Sequence, residues 1–203
     1  MLCIGPLESA SRIILDLGTF GHLEDLSIAQ KKVASRLGIE PFRPSFPQEI
    51  EHNKRHQEIA DLGLQIVPST LGCHTPEDAV STARLAVEQF GTTMISLQVM
   101  GYPENGFPDG EGTLEAAREL VHHGLDVIPL CTDDPTLCRR LAQIGCAALV
   151  VLSAAPGSTD GIRNPQRIRL IRAAVDIPLI LAAGFGCASD VTLAMELGAD
   201  AVV

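Results

Sequence analysis

The feature that most constrains the fold is a regular alternation, in the second half of the chain, of short apolar runs with helix-forming stretches. The runs are LDVIPL (125–130), CAALVVL (146–152), IPLILAAG (177–184) and ADAVV (199–203), and three of them follow a glycine. Continuous apolar strands separated by helices are typical of a parallel sheet whose outer face is covered by helices. The pattern therefore predicts an α/β fold.

Helix starts are marked by a polar cap residue followed by proline. Thr75-Pro76, Asp134-Pro135 and Asn164-Pro165 combine a favoured N-cap with a proline that suits the first helical turn, and Ser189-Asp190 predicts another start. The chain divides into eight predicted strands with helices between them, which predicts one domain, 1–203, with a (β/α)8 TIM-type barrel fold. Predicted strands lie at 12–17, 38–49, 64–68, 94–100 and in the four runs above; predicted helices lie at 23–37, 76–90, 111–123, 135–144, 165–174 and 189–197.

The second and eighth strands are the irregular parts of this barrel. Pro41, Pro44 and Pro47 fall within 38–49, and because proline cannot donate a ladder hydrogen bond we predict an irregular second strand. The chain ends at Val203, inside the eighth strand. The predicted barrel is therefore incomplete, with its C-terminal end truncated relative to a full domain of ~250 residues. A fragment of a longer sequence and a barrel completed by another chain both fit this pattern.

Charge and cysteine content argue against several classes of function. The net charge of −10 opposes binding to nucleic acid or to an anionic membrane, since both need a basic surface. No apolar run approaches the ~20 residues of a membrane helix, and no secretory signal begins the sequence. The six cysteines form no CxxC motif, and Cys73-His74 is the only adjacent pair of metal-ligand types. We expect a cytoplasmic protein with no metal and no cofactor.

Several stretches between residues 69 and 203 resemble bacterial thiazole synthase, a (β/α)8 barrel of thiamine biosynthesis. They are GCHTPEDAVSTARLA (72–86), GTLEAARELVHHGLDVIPLCTDDPTLCRRLAQIGCAALV (112–150), GIRNP (161–165) and SDVTLAMELGADAV (189–202), with a weaker match in SRIILDLGTF (11–20). The resemblance implies a sulfur-incorporating transferase that makes thiazole phosphate from deoxyxylulose phosphate. It also implies a sulfur-carrier protein as partner and a homo-oligomeric state.

The resemblance also implies which positions carry the chemistry. In the family, a strand-four lysine forms an imine with the sugar ketone, and nearby carboxylates move protons. The family pattern Lys-Leu-Glu-Val-Ile-Gly corresponds to SLQVMG (96–101), so Ser96 replaces the lysine and Gln98 the glutamate. The strand-seven pattern Asp-Ala-Gly-Ile-Gly corresponds to AAGFG (182–186), so Ala182 replaces the aspartate. A hydroxyl cannot form an imine. The side chains of glutamine and alanine cannot act as an acid or a base at neutral pH.

The family's phosphate-binding positions correspond to Gly157, Ala183 and Gly184. In the family, backbone N–H groups of glycine-rich loops bind the phosphate at the C-terminal face of the barrel. Asp160, in the same stretch as Gly157, would place a negative charge near that phosphate, which counts against binding.

Four residues are candidate substitutes for the missing groups. Lys54 lies in a charged stretch near the edge of the barrel and would be the replacement amine. Asp16 on the first strand, His74 after the third strand and Asp133 after the fifth strand are candidate acids or bases. The simpler interpretations are a surface lysine, a hydrogen-bonded buried aspartate, a loop histidine and a loop carboxylate.

Three functional hypotheses follow. The first is a thiazole-synthase-like protein of thiamine biosynthesis with impaired or no activity, because the imine-forming lysine and two carboxylates are absent. The alternative is a non-catalytic barrel that binds a phosphosugar or a protein partner. The third is a barrel with different chemistry at Ser96, Asp16 or His74, for which the sequence places no base within reach of the serine.

Overall fold

Eight parallel strands form one sheet, and helices alternate with them along the chain. The computed structural model describes residues 1–20, 22–33, 35–42, 57–102 and 106–203. The strands are β1 (Leu2–Ile4), β2 (Leu7–Ser9), β3 (Leu15–Asp16), β4 (Leu37–Pro41), β5 (Gln65–Ser69), β6 (Met94–Leu97), β7 (Met100–Tyr102), β8 (Phe107–Pro108), β9 (Asp126–Cys131), β10 (Leu149–Leu152), β11 (Leu179–Ala182) and β12 (Ala201–Val202). The helices are α1 (Leu23–Val33), α2 (Pro76–Phe90), α3 (Gly110–His122), α4 (Pro135–Ile144), α5 (Pro165–Ala174) and α6 (Ala188–Glu196); residues 57–61 are also helical.

The sheet curls until its two end strands meet. Its order is β12-β11-β10-β9-β6-β5-β4-β3, with every neighbouring pair parallel. At the ends, Ile13 and Val202 form a parallel bridge, and the Ile14 N–H donates to the Val202 carbonyl at 2.8 Å. The predicted TIM-type (β/α)8 architecture is therefore confirmed, and Val203 directly follows its last strand.

The second barrel strand is regular, although an irregular strand was predicted. The prolines predicted an irregular strand, but β4 pairs with β5 over all five of its residues and also pairs with β3. The reason is that only Pro41 falls inside the strand, at its last position, where a missing N–H interrupts no later part of the ladder. Pro44 and Pro47 lie outside the described residues.

A short hairpin that the sequence analysis did not predict closes one end of the barrel. β1 and β2 pair antiparallel, and their side chains at Leu2, Ile4 and Leu7 are buried with the residues that line the barrel interior. The lining alternates along each strand because successive side chains point to opposite faces. Interior positions on the strands include Met94, Ile128, Leu130, Val150, Leu152, Ile180 and Ala182.

The helix starts agree with the proline signals. α2, α4 and α5 begin at Pro76, Pro135 and Pro165. Thr75 accepts a hydrogen bond from the Asp78 N–H at 3.2 Å, and Asp134 accepts one from the Thr136 N–H at 2.8 Å. α6 begins at Ala188, one residue before the predicted Ser189, because Cys187 is its cap residue. Within the described ranges, none of the helices is both long and apolar enough to cross a membrane.

Candidate functional site

The candidate site lies inside the barrel, toward the carboxyl ends of the strands. Ser96 is on β6, and because Met94, two residues earlier, lines the interior, Ser96 also faces inward. It is 2% exposed. Its register partner on β5 is Ser69, which is 1% exposed. Two buried hydroxyls therefore lie side by side at the position where the family resemblance places a reactive amine.

The stretch MISLQVMG (94–101), predicted as one strand over 94–100, is not continuous, so that prediction was wrong. β6 ends at Leu97, and after two residues Met100 begins β7, which turns back to pair with β8. Thr70 holds this break, because its hydroxyl donates to the Gln98 carbonyl at 2.9 Å and accepts from the Gln98 N–H at 2.8 Å. Gln98 is therefore fixed through its backbone, in a loop beyond the strand end.

Ala182 lies on the other side of the barrel from Ser96. It ends β11 and is paired with Leu152 on β10, and β11 is three strands away from β6 in the sheet order. Its methyl group is buried among the interior apolar side chains. The two sides of the candidate site therefore present hydroxyls and a methyl group, none of which titrates near neutral pH.

Asp16 brings a carboxylate to the same end of the barrel. Ile14 lines the interior, so Asp16, two residues later at the end of β3, faces inward as well. Its side chain accepts from the Gly18 N–H at 3.1 Å and caps the short 3-10 helix that follows. Burial raises the pKa of this carboxyl, and the Gly18 hydrogen bond partly opposes the rise.

We expect Asp16→Asn to raise the thermal midpoint at pH 7. A carboxyl whose pKa is raised in the folded state adds stability below its ordinary value of 3.8, and this stability is lost as pH rises through the folded value. Asparagine removes the buried charge and keeps an oxygen for the Gly18 N–H. The gain over the native chain should shrink from pH 7 to pH 4.5 in paired melts. An equal difference at both pH values would contradict this account of Asp16.

The three phosphate-site candidates lie on two loops that pack together. Gly161, at the end of the loop that contains Gly157, donates its N–H to the Gly184 carbonyl at 2.8 Å. Ala183 has φ 64°, the one positive φ of a non-glycine residue within the described ranges. The Ser153 hydroxyl donates to the carbonyls of Ala182 and Ala183, which holds this turn in place. Such strain at a loop of a candidate site is a feature that functional sites often show.

The backbone N–H groups just before α6, next to these loops, already donate to a carboxylate of the same chain. Asp190 accepts from the N–H groups of Gly186 at 2.9 Å and Cys187 at 3.0 Å. The hydrogen bond from Gly186 is the main cause that lowers the pKa of Asp190. Because these two donors are occupied, an incoming phosphate at this helix end would compete with Asp190.

The candidate substitutes are engaged elsewhere or exposed. Asp133 accepts from Asn164 Nδ2 at 2.7 Å and from Arg167 at 3.2 Å, which ties its loop to the start of α5. His74 is exposed, with Nδ1 3.4 Å from the Met100 carbonyl oxygen. Lys54 lies outside the described residues. In the part of the chain that the structure describes, no group of three His, Cys, Asp or Glu side chains could hold a metal ion.

Sequence reasoning missed Ser69, Thr70 and Ser153. Each is a small hydroxyl residue at or just after the carboxyl end of a barrel strand, and each is buried. The signal that would have found them is their position, because the C-terminal ends of the strands form the functional face of this fold.

Comparison with known proteins gives the family. The family model described as "Thiazole biosynthesis protein ThiG" matches residues 4–203. A thiazole synthase of Geobacter metallireducens is 48% identical over 202 residues, spanning all of this chain and 78% of its own length. A thiazole synthase of Sorangium cellulosum is 40% identical over the same spans.

Comparison with solved structures supports the same family and fold. This chain superimposes on a structure of the Amycolatopsis orientalis BexX/CysO complex with a TM-score of 0.87 at 30% identity, covering 99% of this chain and 82% of the other. The YdjI aldolase of Escherichia coli shares the fold alone, with a TM-score of 0.65 and 19% identity over 95% of this chain and 73% of that one. The chain therefore belongs to the thiazole biosynthesis protein ThiG family, the thiazole synthases of thiamine biosynthesis.

Proposed function

We propose that this chain is a thiazole synthase homologue whose imine-forming step is impaired or lost. The observation that carries the proposal is Ser96, a serine with 2% exposure that faces the barrel interior at the position corresponding to the family's lysine. Imine formation replaces a ketone oxygen by an amine nitrogen and releases water, so the attacking group must be a primary amine. A serine hydroxyl adds to a ketone only as a reversible hemiketal.

The surroundings of Ser96 support the loss of proton transfer as well. Its register partner is another serine, Ser69, and Ala182 across the barrel is apolar. Among the described residues of the strands, Asp16 is the carboxylate that points inward near the carboxyl ends. A single carboxylate with a raised pKa does not replace a lysine together with two acids.

We further propose that the chain keeps the binding functions of the family. The loops around Gly157, Ala183 and Gly184 would receive the phosphate of a sugar phosphate such as deoxyxylulose phosphate, which is supported by their left-handed turns and their mutual packing. A sulfur-carrier protein is the proposed macromolecular partner. The complex of BexX with CysO, in a homologue 30% identical to this chain, supports a protein partner. Self-association into a homo-oligomer is also proposed.

The test is covalent trapping. The purified chain is incubated with deoxyxylulose phosphate and borohydride, and its intact mass is measured after circular dichroism has shown that it is folded. We expect no mass increase, because none of the described residues places an amine beside Ser96. Lys31 and Lys32 are exposed on α1 and serve as an internal control for nonspecific reductive labelling.

A mass increase equal to one reduced sugar adduct would overturn the proposal. Peptide mapping would then identify the amine, and Lys54 is the first candidate, since neither α1 lysine lies inside the barrel. Labelling restricted to Lys31 or Lys32, at a level that free sugar without phosphate also produces, would leave the proposal standing.

A further inference from the structure

Burial is uneven around the mouth of the barrel, at the carboxyl ends of the strands. On β6, β9 and β10 the last interior side chains are almost fully buried, since Ser96 is 2% exposed, Leu130 9% and Leu152 6%. Across the barrel, the last interior residues of β3 and β4 are Asp16 and Pro41, which are only partly buried. A cover over the ends of β6, β9 and β10 would account for this difference.

The hairpin of β7 and β8 is placed to be that cover. It follows β6 in the chain, and the Met100 N–H at its start donates to the carbonyl of Cys73, in the loop after β5, at 2.8 Å. Its other end reaches the loop after β10, because a Cβ on Gly106 would lie 3.4 Å from the Pro156 side chain. The hairpin therefore spans the side of the mouth that lies between β6 and β10.

Phe107 on β8 fills the space beneath this hairpin. Its partly buried side chain packs against the interior apolar cluster, whose members include Leu130, Leu152 and Ala182. Because the hairpin follows the carboxyl end of β6, Phe107 approaches that cluster from the mouth of the barrel. The ring therefore lies between solvent and the buried side of the candidate site.

We propose that Phe107 is the gate of the candidate site, so that a ligand reaches Ser96 only after the hairpin has moved its ring out of the mouth. A side chain with 2% exposure is almost out of contact with solvent, so a sugar phosphate cannot touch it until a covering element is displaced. The inference rests on the proposed function in one respect, which is that the interior at Ser96 is the ligand site. A gate of this kind keeps water away from a bound ligand.

The hairpin is weakly held, which suits it to opening. β7 and β8 contain only three and two residues, and their register is irregular between Met100 and Tyr102. A two-stranded hairpin is marginally stable by itself. Its base is fixed more firmly, because the Asp109 N–H donates to the Val99 carbonyl at 2.8 Å and the Asp109 side chain caps α3. The hairpin can therefore lift while β6 and α3 stay in place.

The test measures access to position 96 without any ligand. Ser96→Cys introduces a thiol of similar size, and its alkylation by N-ethylmaleimide is followed by peptide mass mapping. We expect slow labelling at position 96 while Phe107 is present. Adding Phe107→Ala should make it about tenfold faster or more, because labelling of a buried group depends on how often its cover opens. Cys3 and Cys187 are exposed and should be labelled rapidly in both proteins.

Matched controls separate the gate from general loosening. Phe90→Ala removes the same ring from α2, where Phe90 packs against Phe42 outside the barrel interior, and should leave labelling at position 96 unchanged. Cys131 is 0% exposed and also lies outside the interior, so its labelling reports opening of the whole domain. Phe107→Leu, which keeps an apolar side chain, should give an intermediate rate and replaces Phe107→Ala if that variant does not fold.

Three results would overturn the gate. They are rapid labelling at position 96 with Phe107 in place, unchanged labelling in both Phe107 variants, and an acceleration at position 96 that Cys131 shares equally. Deoxyxylulose phosphate then tests the proposed function separately. In Ser96→Cys/Phe107→Ala it should slow alkylation at position 96 if the chain binds the sugar. Faster labelling without this protection would support the gate and contradict sugar binding.

Discussion

Replacing Ser96 by lysine is expected to make the barrel trap deoxyxylulose phosphate as an imine, whereas the native chain traps none. The new amine would extend from a buried interior position beside Ser69. Desolvation lowers the pKa of a lysine, so more of it is in the neutral, nucleophilic form near pH 8. After borohydride reduction, most molecules should carry one sugar adduct. Peptide mapping should place this adduct at residue 96.

The matched control for this variant is Ser69→Lys. It introduces the same amine at the register partner on the neighbouring strand, where the side chain is equally buried. We expect much less adduct there if the site still orients the ketone toward position 96. Equal labelling of both lysines would mean that any interior amine reacts. A folded Ser96→Lys variant without adduct would contradict an inherited sugar site at this end of the barrel.

Turnover should remain slow when the lysine alone is restored. Gln98 and Ala182 leave the site without the two carboxylates that the family resemblance assigns to proton transfer, and such groups contribute typically 10²–10⁴-fold each. The variant Ser96→Lys/Gln98→Glu/Ala182→Asp should therefore form thiazole phosphate faster than Ser96→Lys. Gln98 lies in the loop held by Thr70, so Gln98→Glu tests whether that loop still directs a carboxylate to the imine.

The parts of the fold that could be predicted are those set by local sequence. Helices begin at Pro76, Pro135 and Pro165 because a capping residue followed by proline acts within one turn, whatever the rest of the chain does. The apolar runs became parallel strands because each is buried on both faces. These signals need no knowledge of distant contacts.

The parts that could not be predicted depend on contacts between distant segments. The break after Leu97 is held by Thr70, 28 residues away from Gln98, and no local pattern in MISLQVMG marks it. The hairpin of β1 and β2 is stabilised by burial at the end of the barrel, and the mixed polar and apolar sequence of its eight residues does not predict that burial. The strand at 37–41 formed because its neighbours on both sides supply partners.

The site positions were predicted by resemblance, and their surroundings were not. Ser96 faces the interior, and its neighbour Ser69 could be identified only from the register between β5 and β6. Asp190 was interpreted as part of a helix start, and the structure gives it a second consequence, since it occupies the N–H groups of Gly186 and Cys187. Such competition between a cap and a ligand is visible only when both loops are in place.

Gly184→Ala is expected to lower the thermal midpoint by far more than Gly157→Ala. Both glycines are left-handed, with φ 82° and 77°, where an alanine costs roughly 1–2 kcal/mol, partly offset by about 0.4–1 kcal/mol from the less flexible unfolded chain. They differ in space. A Cβ at 184 would lie 2.7 Å from the Ala154 Cβ and from the Gly161 carbonyl oxygen, whereas a Cβ at 157 meets nothing within 4 Å.

The clash at 184 adds the cost of overpacking, about 1–3 kcal/mol. We expect Gly184→Ala to lose about 2–4 kcal/mol, roughly 5–15 °C in thermal midpoint, and Gly157→Ala to lose at most about 1 kcal/mol, roughly 2–4 °C. Equal losses would mean that the two loops separate easily and that their packing adds little. Because the clash at 184 also disturbs folding, loss of ligand binding in Gly184→Ala would not identify a phosphate contact. Only backbone conformation favours glycine at 157, so loss of deoxyxylulose phosphate binding in a stable Gly157→Ala variant would show that a phosphate approaches the backbone there.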